Sequence, residues 1–143
     1  MKISTKGRYA LRMLIDLADH QNDGYVALKD IANRQGISKK YLEQIVPILN
    51  KNKILKTNRG FQGGYMLAKA PNKLSVGDVL RLTEDSLAPM DYAGEDPNRD
   101  GVEYAMMSVW QKLDSVINQY LDSVTIRDIL DLQHEQYAND YMI

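Results

Sequence analysis

Residues 28–45 read LKDIANRQGISKKYLEQI, and each special position of this stretch suits two helices joined by a tight turn. Ala32 is small where the two helices must approach closely, and Gly36 can adopt the positive φ that a tight turn needs. Ile37 can fill the space beneath the turn, and Ser38 can cap the second of the two helices. The stretch therefore predicts a helix-turn-helix.

The second of these helices has one polar face. Leu42 and Ile45 form its buried side, and four polar residues fall on the opposite side: Lys39, Lys40, Glu43 and Gln44. Their side chains include the donors and acceptors that read base edges in a major groove. The Ser38 cap leaves the positive end of the helix free to meet a phosphate. The pattern favours duplex DNA as the ligand, and a helical hairpin without any ligand is the alternative.

A strand–turn–strand follows the two helices. Residues 54–58 and 65–68 predict the strands, and the turn between them reads RGFQGG. Glycines let a backbone approach a phosphate or enter a narrow groove, and an Arg suits the negative potential of an A·T-rich minor groove. We therefore expect four turn residues to contact DNA: Arg59, Gly60, Gly63 and Gly64. An ordinary Gly-rich hairpin is the alternative, whereas a Walker phosphate loop is excluded because a strand follows the glycines.

Apolar spacing predicts four further helices, at about residues 5–20, 76–83, 102–121 and 126–135. The long third one carries apolar residues in steps of three and four, as a helix packed on a partner helix does: Met106, Val109, Leu113, Val116 and Tyr120. The expected fold is mainly α with a small β-hairpin wing. We divide it into a winged helix-turn-helix DNA-binding domain (1–84), an acidic loop expected to be mobile (85–101), and a dimerisation helix with a flexible C-terminal tail (102–143).

Charge is distributed unevenly between the two parts of the chain. Residues 1–81 hold 15 Lys and Arg against 6 Asp and Glu, whereas residues 82–143 hold 3 against 13. This asymmetry is typical of a polyanion-binding module joined to a part with another role. Two unrelated solvated surfaces would give the same count.

Composition narrows the class of protein. The chain has no cysteine and two histidines, His20 and His134, so disulfides, thiolate ligands and histidine-based catalytic sets are difficult to assemble. No apolar run approaches the ~20 residues that a membrane span needs. We see no nucleophile–base pair and no patterned pair of carboxylates. We therefore expect a cytoplasmic protein that is not an enzyme and needs no cofactor or metal.

Five segments together carry a resemblance to a known family: MKISTKGRYA at 1–10, ISKKYLEQ at 37–44, RGFQGGY at 59–65, SVGDVL at 75–80 and TIRDIL at 125–130. With these segments the chain resembles the Rrf2 (Rrf-two) family of winged-helix transcription regulators over nearly its whole length. The resemblance implies a homodimer, joined through the long helix, that binds a pseudo-palindromic operator.

The resemblance also implies roles for individual residues. Six residues would lie in or at the major groove: Ser38, Lys39, Lys40, Tyr41, Glu43 and Gln44. Arg59 and the glycines of its turn would enter the minor groove, and Lys6 and Arg8 would lie near phosphates. A repressor is the expected activity. A winged-helix module that contacts another protein, without direct DNA binding, is the alternative.

One departure from the family concerns cysteine. Its iron–sulfur members hold the cluster with three cysteines before the long helix, and the loop 85–101 has neither cysteine nor histidine. The chain therefore resembles the cluster-free branch, which represses cysteine metabolism and is regulated by complex formation with cysteine synthase. The resemblance implies that Tyr141, Met142 and Ile143 could dock on that enzyme, because it accepts a C-terminal isoleucine carboxylate. A frayed end is the alternative.

Overall fold

The structure, a computed structural model, describes residues 1–91 and 100–141. Within them lie six helices and a two-stranded hairpin: α1 (Thr5–Asp19), α2 (Leu28–Gln35), α3 (Lys39–Lys51), β1 (Leu55–Asn58), β2 (Gly64–Leu67), α4 (Val76–Thr83), α5 (Gly101–Ser123) and α6 (Ile126–Tyr141). Short 3₁₀ turns lie at Gln21–Asp23 and Pro71–Lys73. The expected fold class, mainly α with a small hairpin wing, is confirmed.

Helix α1 is the centre of the molecule. Ser4 caps it by accepting a 3.0 Å hydrogen bond from the Gly7 backbone N–H. Its apolar positions Ala10, Leu14 and Leu17 are buried, as the spacing predicts. The helix packs against α2, α3, α4 and α6, so its orientation determines where these four helices lie.

The turn between α2 and α3 has the conformation that its sequence predicts. Gly36 lies in the left-handed region at φ 65°, where L side chains are strained, and Ile37 is buried beneath the turn. The Ile37 backbone N–H donates to the Ala32 carbonyl oxygen over 3.1 Å, which ends α2. The two helices are thereby held at a fixed angle on α1.

The hairpin is antiparallel, with Leu55 opposite Leu67 and Asn58 opposite Gly64. Its second strand is also joined to the segment before α2, because Val26 and Tyr65 exchange two backbone hydrogen bonds of 2.9 Å. This bridge attaches β2, one residue pair from the turn of the hairpin, to the segment that leads into the helix-turn-helix.

The last helix differs from its prediction in length and in packing. Thr125 and Asp128 cap α6 reciprocally, and the helix continues six residues beyond Glu135 to Tyr141, where we expected a flexible tail. Ile126 and Leu130, both at most 2% exposed, belong to the same core as α1. By packing, α6 therefore belongs with residues 1–84, although the sequence division at 102 separated them.

The acidic loop is packed against the rest of the fold at its start. Leu87 is buried against Val76 and Leu80, so the loop expected at 85–101 is anchored at its start rather than mobile throughout. Residues 92–99 of that loop, like Met142 and Ile143, lie outside the described residues. No helix of the described ranges is long and apolar enough to span a bilayer.

Candidate nucleic-acid interface

The N-terminal end of α3 is capped and open. The Ser38 Oγ accepts a 3.0 Å hydrogen bond from the Tyr41 backbone N–H, and the residues of the predicted reading face are exposed: Ser38, Lys39, Lys40, Glu43 and Gln44. On the opposite side Leu42, Ile45 and Leu49 are fully buried. Because core packing fixes one side of the helix, its polar side stands at a defined orientation with a positive helix end facing outward.

Tyr41 is placed differently from the other predicted contacts. It is half-buried, and its ring meets that of Tyr9 on α1 edge to face, with centroids 5.3 Å apart and planes at 77°. Such aromatic pairs are favourable beyond the area they bury. Tyr41 therefore fixes the first turn of α3 to α1, whatever contact it makes with DNA.

The start of α1 is hydrogen-bonded to Glu84, the residue that follows α4. The Glu84 carboxylate accepts hydrogen bonds from the Ser4 backbone N–H and, over 2.6 Å, from the Ser4 hydroxyl. Burial opposes ionisation of this carboxyl, but the bonds from Ser4 and Thr83, together with the charge of Lys6, outweigh it and lower the pKa of Glu84. The contact orients the first turn of α1, where Lys6 is half-buried and Arg8 is exposed.

The turn of the wing has little freedom. The Gly60 N–H donates to the Asn58 Oδ1 over 3.1 Å, and Gln62 has a φ of 59°. A Cβ at Gly63 would lie 2.4 Å from the Asn58 carbonyl oxygen, so no larger residue fits there without a shift of backbone. Arg59 is exposed beside this turn. The cationic side chain of Arg59 therefore extends into solvent beside a closely packed turn.

Gly64 has a structural role in the wing. It is buried as the first residue of β2, and a Cβ there would lie 2.2 Å from the Val26 carbonyl oxygen. Glycine is needed at this position because the wing packs closely on the segment before α2. Gly64 therefore belongs to the packed turn end of the hairpin, and its contact with DNA stays a prediction.

A buried ion pair beneath the helix-turn-helix was missed in the sequence. Asp16 of α1, with a side chain 1% exposed, accepts two hydrogen bonds from Arg34, of 2.9 and 2.8 Å, and one of 2.9 Å from Gln35. These bonds raise the pKa of Arg34 above its ordinary value. They join the end of α2 to α1. An acidic residue on the apolar side of α1 was the available signal, since a buried carboxylate needs a partner.

Helix α5 has two faces with different surroundings. Arg81 of α4 donates to both oxygens of Asp122, over 2.7 and 3.0 Å, and to the Asn118 Oδ1 over 2.9 Å. The apolar residues predicted to meet a partner helix are instead 41–66% exposed: Met106, Val109, Leu113, Val116 and Tyr120. One side of α5 therefore contacts α4 of the same chain, and the other presents an unpartnered apolar stripe.

The donors present do not fit an iron–sulfur cluster or another soft metal centre. The chain has no cysteine, and its two histidines bond elsewhere: His20 Nδ1 lies 2.8 Å from the Asp16 carbonyl oxygen, and His134 Nε2 lies 2.8 Å from Asp19. Within the described ranges no three His, Cys, Asp or Glu side chains lie together as a metal site. Carboxylates alone are poor ligands for such a cluster.

Comparison with known proteins identifies regulators of transcription. The sequence model of the Rrf2 family, described as an iron-dependent transcriptional regulator, matches residues 3–132. The regulator CymR of Bacillus subtilis (strain 168) is 36% identical over 129 residues, which are 90% of this chain and 89% of CymR. IscR of Pectobacterium carotovorum is 34% identical over 145 residues, covering 97% of this chain and 88% of IscR.

Solved structures give the same result. The structure of CymR, the global cysteine regulator of B. subtilis, superposes with a TM-score of 0.80 at 33% identity, covering 92% of this chain and 98% of CymR. IscR of T. potens gives a TM-score of 0.76 at 41% identity, covering 95% and 90%. Overall likeness does not separate the two kinds of regulator, and the difference between them must be sought in individual residues.

Proposed function

The chain belongs to the Rrf2 family of transcriptional regulators, and we propose that it represses its target genes by binding a pseudo-palindromic operator as a homodimer. The observation that carries the proposal is the capped, open end of α3 together with the exposed turn of the wing, both in the basic part of the chain. Ser38, Lys39, Lys40, Tyr41, Glu43 and Gln44 would enter or border the major groove. Arg59, with Gly60 and Gly63, would enter the minor groove, and Lys6 and Arg8 would approach phosphates.

The homodimer is supported by the apolar stripe on α5. Exposed apolar residues in steps of three and four form the seam of paired helices, and leaving them in water is unfavourable. A two-fold axis between the two stripes, beside this helix, would present two copies of α3 to two major grooves, about 34 Å apart on one side of the duplex. An operator with an inverted repeat follows from that symmetry, and the cytoplasm is where such a regulator acts.

Selection from a random duplex library tests the proposal. We expect an inverted repeat. We also expect the logarithm of the affinity to fall by about 0.9 per log unit of salt for each phosphate neutralised. Arg59→Ala should lower the affinity and weaken the base preference at the minor-groove position. Binding of selected and random duplexes by this variant at wild-type strength would refute the role of the wing. Absence of any salt-dependent binding to duplex DNA would favour the alternative, a module that contacts another protein.

We further propose that the genes controlled belong to cysteine and sulfur metabolism, with cysteine synthase as co-regulator. The similarity to CymR, described as a global cysteine regulator, and the absence of cluster ligands support this branch of the family. Exposed Tyr141 at the end of α6 leads to Met142 and Ile143, the proposed docking residues. Cysteine synthase on a resin should retain the full chain and release the chain lacking Ile143. Equal retention of both, or of neither, would contradict docking through this segment.

A further inference from the structure

Phe61 occupies the tip of the wing and is almost wholly in water. Its side chain is 96% exposed, more than any other large hydrophobic residue in the described part of the chain, and it is the only phenylalanine present. Residues of this type are ordinarily buried, because removing their apolar area from water is favourable.

The backbone beneath this side chain is closely packed. Gly63 is packed against the carbonyl oxygens of Asn58 and Gly60, and the Gly60 N–H is bonded to the Asn58 side chain. Close to the turn, the backbone N–H and carbonyl oxygen of Tyr65 are both bonded to Val26. The backbone that carries Phe61 is therefore restricted, so contact with a ligand costs the ordering of one side chain.

Its electrostatic surroundings indicate the partner. Residues 44–77 contain six Lys and Arg and no Asp or Glu, and Arg59 is exposed two residues before Phe61. A polyanion is attracted to such a segment. Proteins that enter the minor groove combine cations of this kind with an apolar wedge such as Phe, which partly unstacks one base step and kinks the duplex.

We propose that Phe61 inserts between adjacent base pairs from the minor groove, at the place where Arg59 enters it, and bends the operator. This inference rests on the proposed function, since it requires the wing to reach DNA. Pyrimidine–purine steps unstack most readily, so the wedge selects such a step without making a hydrogen bond to it. The preferred operator then carries a TA or CA/TG step beneath each wing.

The experiment uses the full-length protein and the inverted repeat obtained from the random library, with 2-aminopurine placed in turn at each position beneath the wing. Wild-type protein should raise the fluorescence at one step and shorten the end-to-end distance of a doubly labelled duplex. Phe61→Ala should lose both signals and about tenfold in affinity, with the salt dependence unchanged because no phosphate contact is removed. Phe61→Leu should retain part of the bend.

Two controls separate the possible outcomes. Leu132→Ala removes an exposed apolar side chain from α6, far from the wing in sequence, and should bind and bend DNA as wild type does. Arg59→Ala should lower affinity and salt dependence. Equal fluorescence and bend for wild type and Phe61→Ala would overturn the wedge and leave the proposed function standing. Failure of wild type to bind any duplex would overturn both. A change of sedimentation in Phe61→Ala would assign the side chain to a contact between copies and also overturn the wedge.

Discussion

At the scale of single residues, the buried ion pair of Asp16 and Arg34 stabilises the contact between α1 and α2. Asp16 is buried, and Arg34 supplies two of its hydrogen bonds. Removing one partner of a buried ion pair leaves an uncompensated charge, which costs ~3–5 kcal/mol in full burial. Arg34 is partly exposed, and Gln35 retains its bond, so we expect a smaller loss.

We therefore predict that Arg34→Ala lowers the free energy of unfolding by about 2 kcal/mol, measured by urea titration. The matched control is Arg127→Ala, which removes an exposed pair with Asp131 within α6 and should cost about 0.5 kcal/mol or less. Similar losses in the two variants would show that the buried pair has no special importance.

Several features at this scale could not be predicted because their partners are distant in the chain. Gly64 needs to be glycine because of Val26, and Asp16 is tolerated in the core because of Arg34. Gly36 and Ser38 were predicted correctly because the turn and the cap depend on residues within four positions. The helix-turn-helix can thus be predicted from neighbouring residues, whereas the packing beneath it depends on residues that only the fold brings together.

At the scale of elements, the junction of α1 and α4 is sensitive to acid. The pKa of Glu84 is lowered in the folded protein, because its hydrogen bonds to Ser4 and Thr83 outweigh the effect of its burial. A carboxyl of this kind stabilises the fold fully above its unfolded pKa of about 4.5, and the contribution is lost as pH falls through the folded value.

We predict that wild type is more stable than Glu84→Gln at pH 7, and that the difference shrinks as pH falls below about 4.5. Urea unfolding of both proteins between pH 7 and pH 3 measures this difference directly. A gap that stays constant across the range would show that ionisation of Glu84 is not what holds the start of α1.

A second prediction at this scale concerns the stripe on α5. Leu113→Asp places a charge in the proposed seam, so sedimentation should show monomers and operator affinity should fall steeply. Ser115→Asp, an exposed position about 160° away from Leu113 by the 100° turn per residue, should remain dimeric. A dimeric Leu113→Asp protein would place the interface elsewhere.

The elements differ in how much of each the sequence could predict. The bounds of α2 were predicted correctly because the apolar period of the helix and the glycine that follows it, Gly36, indicate the same end. The predicted α6 ended too early because the polar residues Gln136, Asn139 and Asp140 suggested a tail. The last turns of the helix carry polar bonds along their surface, such as the one from Gln136 to Asp140. These turns have no apolar period that could be detected in the sequence.

At the scale of the whole molecule, a cluster of side-chain hydrogen bonds joins the DNA-binding part to the proposed dimer helix. Arg81 reaches from α4 to Asp122 and Asn118 on α5, and a few apolar contacts of Leu121 and Val124 lie beside it. Both partners are more than a third exposed, so the contact adds little to stability. Its bidentate geometry instead restricts the angle between α4 and α5.

That angle sets the distance between the two copies of α3 in a dimer, and hence the operator spacing that both can reach. We predict that Arg81→Ala weakens binding to the selected operator and reduces its preference over versions with one base pair inserted or deleted, while stability changes by less than about 1 kcal/mol. Titrations of the three duplexes measure the preference, with Arg127→Ala as control. If Arg81→Ala kept the full spacing preference of wild type, the Arg81 contact would not fix the angle, which would then depend on the apolar contacts and on the bond from the Val76 N–H to the Val124 carbonyl oxygen.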